Sequence, residues 1–126
     1  MPYSACIAVA LAMLLIALSL NVSRLRIAHK VSFGDGGHKD VTMAMRAHGN
    51  SLEQSIVFVP LLYFIESYAS SSSGTVLALG AAFIVLRLVY CRALFMRVLL
   101  VRQIAHALTM VLLFAAAAII VWSFQP

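Results

Sequence analysis

Residues 45–60 read MRAHGNSLEQSIVFVP, a polar segment that runs directly into an apolar one. Charged groups are costly beside hydrocarbon, so a helix that keeps them at such an entrance holds them for a purpose. At about 100° per residue, Arg46, Asn50 and Glu53 fall near 0°, 40° and 340°, one polar stripe on one helix face. His48 falls at about 200°, on the other side.

The rest of the chain supplies the hydrocarbon context. The 126 residues are 63% hydrophobic and 10% charged, and the mean hydropathy is +1.02. Soluble domains carry about 25% charged residues, so this composition belongs to a membrane protein. Four apolar stretches stand out: Tyr3–Val22, Ile56–Tyr68, Val76–Val89 and Ile104–Phe124. A spanning helix needs about 20 residues, so the second must begin near Met43 and the third must pass Arg87. Those two spans therefore carry polar residues inside the helix.

The net charge of +5 does not point to nucleic acid, because of where it sits. The nine basic residues form two blocks, Arg24, Arg26, Lys30, Lys39, Arg46 and then Arg87, Arg92, Arg97, Arg102. With four spans both blocks reach the same side, the cytoplasm by the positive-inside rule, and both termini face outward. Cys6 and Cys91 are far apart in apolar segments, and no CxxC or Cys/His cluster occurs. Neither a disulfide framework nor a metal site is expected. The opening apolar run lacks a basic start and is followed by Arg24 and Arg26, so it is read as a retained span and not a signal peptide.

These limits predict helices over Pro2–His29, Val41–Ala69, Thr75–Arg97 and Val101–Ser123. Pro60 is expected to kink the second helix. SFGDGGHKD at 32–40 is turn chemistry, with Asp40 or Thr42 as candidate caps for that helix. Its glycines do not form a GxxxxGK[ST] phosphate loop. SSSSGT at 70–75 reads as a short external turn, and AAAA at 115–118 as a close-contact face. The expected product is a single all-α integral-membrane domain over residues 1–126, an antiparallel bundle of four transmembrane helices. One subunit shelters few polar groups, so an oligomer is expected.

The stripe itself admits two readings. Glu53 and Asn50 can be structural glue between helices. Alternatively the stripe receives a polar anion: arginine grips a carboxylate with two parallel bonds, asparagine both donates and accepts, and glutamate accepts from an ammonium. Spacing alone does not separate these. Arg87 and Tyr90 form an i,i+3 pair on one face of the third helix. Arg92 and Arg97 fit interfacial anchors, Arg102 opens the fourth helix, and His106 on its own reads as an interior histidine.

RAHGNSLE followed by VFVPLL resembles the signature of the MAPEG family, the membrane-associated proteins in eicosanoid and glutathione metabolism. The pattern is Arg-x-x-x-Asn-x-x-Glu at the start of helix two with a later proline, here Arg46, Asn50, Glu53 and Pro60. RLRIAHK at 24–30, LRLVY at 86–90 and the loop KVSFGDGG extend the resemblance along the chain, closest to a bacterial inner-membrane branch.

The resemblance implies a homotrimer with glutathione in a cytoplasm-facing cleft between subunits. By carry-over, Arg46, Asn50, Glu53, Arg87 and Tyr90 hold the tripeptide, with Arg24 or Arg26 from the adjoining helix end and His48 beside them. It further implies a transferase or peroxidase acting on a lipophilic electrophile from the bilayer, with Arg102 (or Arg97, by a shift of register) favouring the thiolate. Two positions depart from the pattern: Leu94 replaces a second tyrosine, and Gln103 follows Arg102. A non-catalytic scaffold that binds lipid or a partner protein is the alternative, and a small transporter lacks the broken helices it would need.

Overall fold

The computed structural model describes residues 2–69 and 73–124. Four helices follow one another: α1 Tyr3–His29, α2 Lys39–Tyr68, α3 Ser73–Phe95 and α4 Leu99–Ser123. Each starts within two residues of its expected start, because apolar runs flanked by Gly, Ser and basic residues define them. The serine turn at 70–75 falls mostly on 70–72, outside the described residues; α3 is already helical at Ser73. Pro60 sits inside α2, which continues through it to Tyr68.

Helices α1, α3 and α4 are each long and apolar enough to cross a membrane. Helix α2 has the length but carries the polar stripe. It packs on α1, α3 and α4, while α1 and α4 make no contact with each other among the described residues. The chain thus forms an all-α antiparallel bundle built for a membrane, with α2 and α3 as its central pair. Most buried residues lie on those two helices. Large apolar side chains such as Met13, Ile16, Phe114 and Trp122 cover the outside of α1 and α4, as lipid contact requires.

Two clusters fill the interior. At the end far from the basic loops, Ile7, Leu11, Phe58, Leu62, Ile65, Val76, Phe83 and Ala116 pack together. Phe58 and Phe83 stack with centroids 4.0 Å apart. Gly80 lets α1 come close, since a Cβ there would lie 2.5 Å from Ile7. At the basic end, Leu18, Ala47, Tyr90, Cys91, Leu94 and Ala105 form a second, smaller-residue cluster. Of the AAAA run, Ala116 alone is fully buried.

Three helix ends are satisfied by specific contacts. Glu66 of α2 caps α1: its carboxylate accepts from the backbone N–H groups of Tyr3 (2.6 Å) and Ser4 (2.9 Å), and from the Ser4 hydroxyl. An anion at a helix N-terminus meets both the free N–H groups and the positive dipole end. At the other end α1 and α3 stop alike. Lys30 and Arg97 adopt left-handed backbone with φ of 56° and 57°, and Val31 and Val98 donate back to Arg26 O and Ala93 O. Both are Schellman turns with a basic residue where glycine is usual.

Neither expected cap of α2 holds. His38 is its N-cap and makes no side-chain cap bond. Asp40 instead meets His29 Nε2 at 2.7 Å, and Thr42 donates to Asp35 and to His38 O. The loop's own tertiary contacts took both side chains.

Candidate functional site

The buried face of α2 runs Val41, Ala44, Ala47, Ser51, Ser55, Phe58, Leu62, Ile65. Steps of three and four keep this seam against the bundle. Arg46, Asn50 and Glu53 lie to one side of it, so Arg46 and Glu53 are exposed and Asn50 is half-buried. They line a cleft of about 640 Å³ together with Met45, Gly49 and Tyr90, and with Gly34, Asp35 and Thr42 from the loop end. That volume lies within the roughly 300–1,000 Å³ typical of small-molecule sites.

Behind the cleft lies Arg87, fully buried on α3. One guanidinium nitrogen donates to Asn50 Oδ1 at 2.8 Å, and the other terminal nitrogen donates to the Thr109 hydroxyl of α4. Thr109 in turn donates to Ala105 O at 2.8 Å. Among the described residues Arg87 Nε has no hydrogen-bond partner. The guanidinium carbon lies 4.9 Å from the centroid of the Tyr90 ring, a cation–π contact. One cation therefore ties α2, α3 and α4 together and fixes the Asn50 and Tyr90 walls of the cleft. Among the described residues it has no carboxylate partner; the only ion pair is His29–Asp40.

Asp35 is the cleft residue that spacing did not single out. Its Oδ1 accepts from Gly37 N–H at 3.0 Å, and Oδ2 accepts from the Thr42 hydroxyl at 2.7 Å. These bonds, the Gly37 amide first, hold its carboxyl below the usual aspartate range, so it is anionic at neutral pH. The loop bends through Gly34, Gly36 and Gly37, all at positive φ. At Gly36 a Cβ would also lie 2.5 Å from Val31, so glycine is required there. Arg26 Nε clamps this loop by donating to Gly34 O at 3.1 Å. The cleft rim therefore offers Arg46 for an anion, and Asp35 and Glu53 for a cation.

The remaining candidates lie elsewhere. Arg24 donates to Asn21 at 2.9 Å and lines a groove of about 450 Å³ with Leu18, Met43, Phe95 and Arg97. Arg97 and Met43 also line an adjoining hollow, which contains Arg102. Three arginines thus share a second basic surface, floored by Ala93 and Leu94. The structure divides Arg24 from Arg26: the first faces this groove, the second secures the cleft loop. His48 is half-buried on α2 and is not among the residues lining the cleft. His106 lies behind Tyr90, with ring centroids 6.3 Å apart, and its Nδ1 is buried with no hydrogen-bond partner among the described residues. Within this chain, Arg102 is not part of the cleft lined by Arg46, Asn50 and Glu53.

Comparison with known proteins agrees with the architecture. The chain is 41% identical over 63 residues to the inner membrane protein YecN of Escherichia coli K12, a stretch covering 50% of this chain and 48% of that protein. The same protein from Escherichia coli O6:H1 matches equally. The chain therefore spans about half the length of the curated relatives it matches. No solved structure matches. The description of the MAPEG family matches residues 4–122, nearly the whole sequence. This integral-membrane chain belongs to the MAPEG family.

Proposed function

We propose that this protein binds glutathione in the Arg46–Asn50–Glu53 cleft and joins it, through its thiol sulfur, to a lipophilic electrophile drawn from the bilayer. The observation that carries this reading is the charge pattern of the cleft rim. Glutathione has two carboxylates and one ammonium; Arg46 suits a carboxylate, and Glu53 with Asp35 suits the ammonium. Buried Arg87 adds an unneutralised positive charge behind Asn50 and Tyr90.

A second copy completes the site in this reading. Arg24, Arg97 and Arg102 line a separate surface of the protomer, so they reach the bound tripeptide only from a neighbouring chain. A closed homotrimer sets the arginine groove of each subunit against the cleft of the next. The basic loops then face the cytoplasm of a bacterial inner membrane and both termini lie outside.

In the chemistry, the glutathione thiol releases its proton to water and the thiolate attacks the electrophilic carbon. A carbon–sulfur bond forms as the leaving group departs with its electron pair. A free thiol with pKa near 8.5 is only a few per cent ionised at neutral pH, so a guanidinium beside sulfur raises the reactive fraction. Arg102 is assigned that role. The scaffold reading keeps one observation in its favour: Leu94 is buried in the basic-end cluster, so that position offers no hydroxyl.

Calorimetry of the detergent-solubilised protein with glutathione tests binding, and turnover of a chlorodinitrobenzene tests chemistry. Saturable binding at or below millimolar glutathione is expected. Arg102→Ala should leave affinity nearly intact, cut turnover, and raise the pH at which the bound thiol ionises by ultraviolet absorbance. No binding at millimolar levels overturns the cleft assignment. Binding with no turnover above the uncatalysed rate leaves the scaffold.

A further inference from the structure

Three side chains at the α1–α2 junction take no part in the cleft. His29 belongs to the last turn of α1, His38 is the N-cap of α2, and Asp40 lies in the first turn of α2. Each is half-buried. One donor atom from each lies within 4.8 Å of the other two, and His29 Nε2 is 2.7 Å from Asp40 Oδ2. The imidazoles of His29 and His38 stack with centroids 4.0 Å apart and planes at 23°.

His38 is an anomaly as a helix cap. Serine, threonine, aspartate and asparagine are favoured there because a short oxygen reaches the second or third helical N–H. His38 makes no such bond; its ring lies over His29 instead. The loop that returns it there is tightly specified. Asp35 accepts from Gly37 and Thr42, His38 N–H donates to Asp35 O at 3.0 Å, and Gly36 admits no side chain. Asp40 is oriented too, with Oδ1 accepting from Val41 N–H at 2.9 Å while Oδ2 meets His29.

We propose that His29, His38 and Asp40 bind a late first-row divalent cation, zinc being the best match, at the basic end of the α1–α2 hairpin. Two imidazole nitrogens and one carboxylate oxygen form a hard-to-borderline donor set without sulfur, which suits zinc with water in the fourth position. Metal–nitrogen distances of about 2.0–2.1 Å place neighbouring ligand atoms about 3.3 Å apart in a tetrahedron. The His29–Asp40 pair is already nearer than that, and His38 closes the remainder by a modest side-chain rotation. The ion replaces the His29–Asp40 hydrogen bond, and Val41 N–H stays on the free carboxylate oxygen as an outer partner.

The position gives the ion a consequence. The same loop places Asp35 in the cleft, and Asp40 borders the arginine groove. A bound cation fixes α1 to α2 between these two surfaces. None of its three ligands lines the cleft itself.

The test uses the full chain in detergent, purified with its affinity tag removed, and zinc and cobalt(II) salts as probes. Calorimetry should give one saturable zinc site per chain, and cobalt(II) should develop visible bands of a nitrogen and oxygen site of low coordination number. His38→Ala leaves the His29–Asp40 pair in place, and it should weaken zinc binding at least about tenfold. Asp40→Asn should weaken it as well, and His106→Ala should bind zinc as the parent does. Absence of saturable zinc binding in the parent protein overturns the proposal. So does a His38→Ala protein, folded by circular dichroism, with the parent's affinity and cobalt spectrum.

Discussion

Phe83 and Arg87 occupy the same face of α3, one turn apart, and the interior around them changes completely between the two. Phe83 stacks on Phe58 among aliphatic side chains from all four helices. Arg87 is equally buried, yet it is held by one asparagine oxygen, one hydroxyl, the Tyr90 ring and, at 5.7 Å, the ring of Phe83 itself. Apolar packing at the first position asks only for shape. The guanidinium at the second asks for named acceptors at set places, because a buried polar group without a partner is costly. The core of the far end is therefore held by packing alone, and that of the basic end by packing together with directed polar contacts.

The largest expected break in this contrast is Phe83→Ala. It should lower stability by about 3–5 kcal/mol through loss of the stack and an unfilled cavity. Thermal unfolding in detergent should show the drop, and the folded fraction should keep its glutathione affinity. A smaller loss, about 1.5–3 kcal/mol, is expected of Thr109→Val, which preserves shape but removes an acceptor from a charged donor. If Thr109→Val melts like the parent, the three-helix link through Arg87 contributes nothing to stability.

Arg46→Ala sharpens the comparison from the other side. It should leave unfolding within about 0.5 kcal/mol of the parent, as exposed substitutions do. On the proposed glutathione reading of the cleft, affinity for the tripeptide should fall roughly tenfold to a hundredfold by calorimetry, the loss expected of one charge-assisted bond. Glu53→Gln should lose less, since an amide oxygen still accepts. The smallest effect belongs to Ser55→Ala. The Ser55 hydroxyl is buried with no hydrogen-bond partner among the described residues, so its removal should be neutral or slightly stabilising. A clear destabilisation would reveal a partner for that hydroxyl.

Helix number, antiparallel order and membrane class were legible because they follow from run length and from two basic blocks. The helix limits agree within a few residues; α2, α3 and α4 each begin two residues earlier than expected. The Arg46–Asn50–Glu53 stripe was legible from spacing, and so was the Arg87–Tyr90 pair. What spacing does not encode is contact between helices. Thr109 lies 22 residues from Arg87, and no periodicity marks it as an acceptor. Asp35, His29 and His38 were hidden for a related reason. GDGGH at 34–38 reads as turn chemistry, and only the fold of the turn shows that it aims a carboxylate at the cleft and an imidazole at α1. Arg24 and Arg26 stand two residues apart, nearly opposite on the helix, and only packing shows which surface each serves.

The left-handed turns at Lys30 and Arg97 bear on how such a chain is made. Glycine in either place would relax the backbone by roughly 1 kcal/mol. It would also delete a positive charge beside a helix that is being threaded into the bilayer during synthesis, when flanking lysines and arginines decide which way each segment turns. The residue that best suits the finished bundle and the residue that best suits its insertion are then different, and at both positions the chain carries the one suited to insertion.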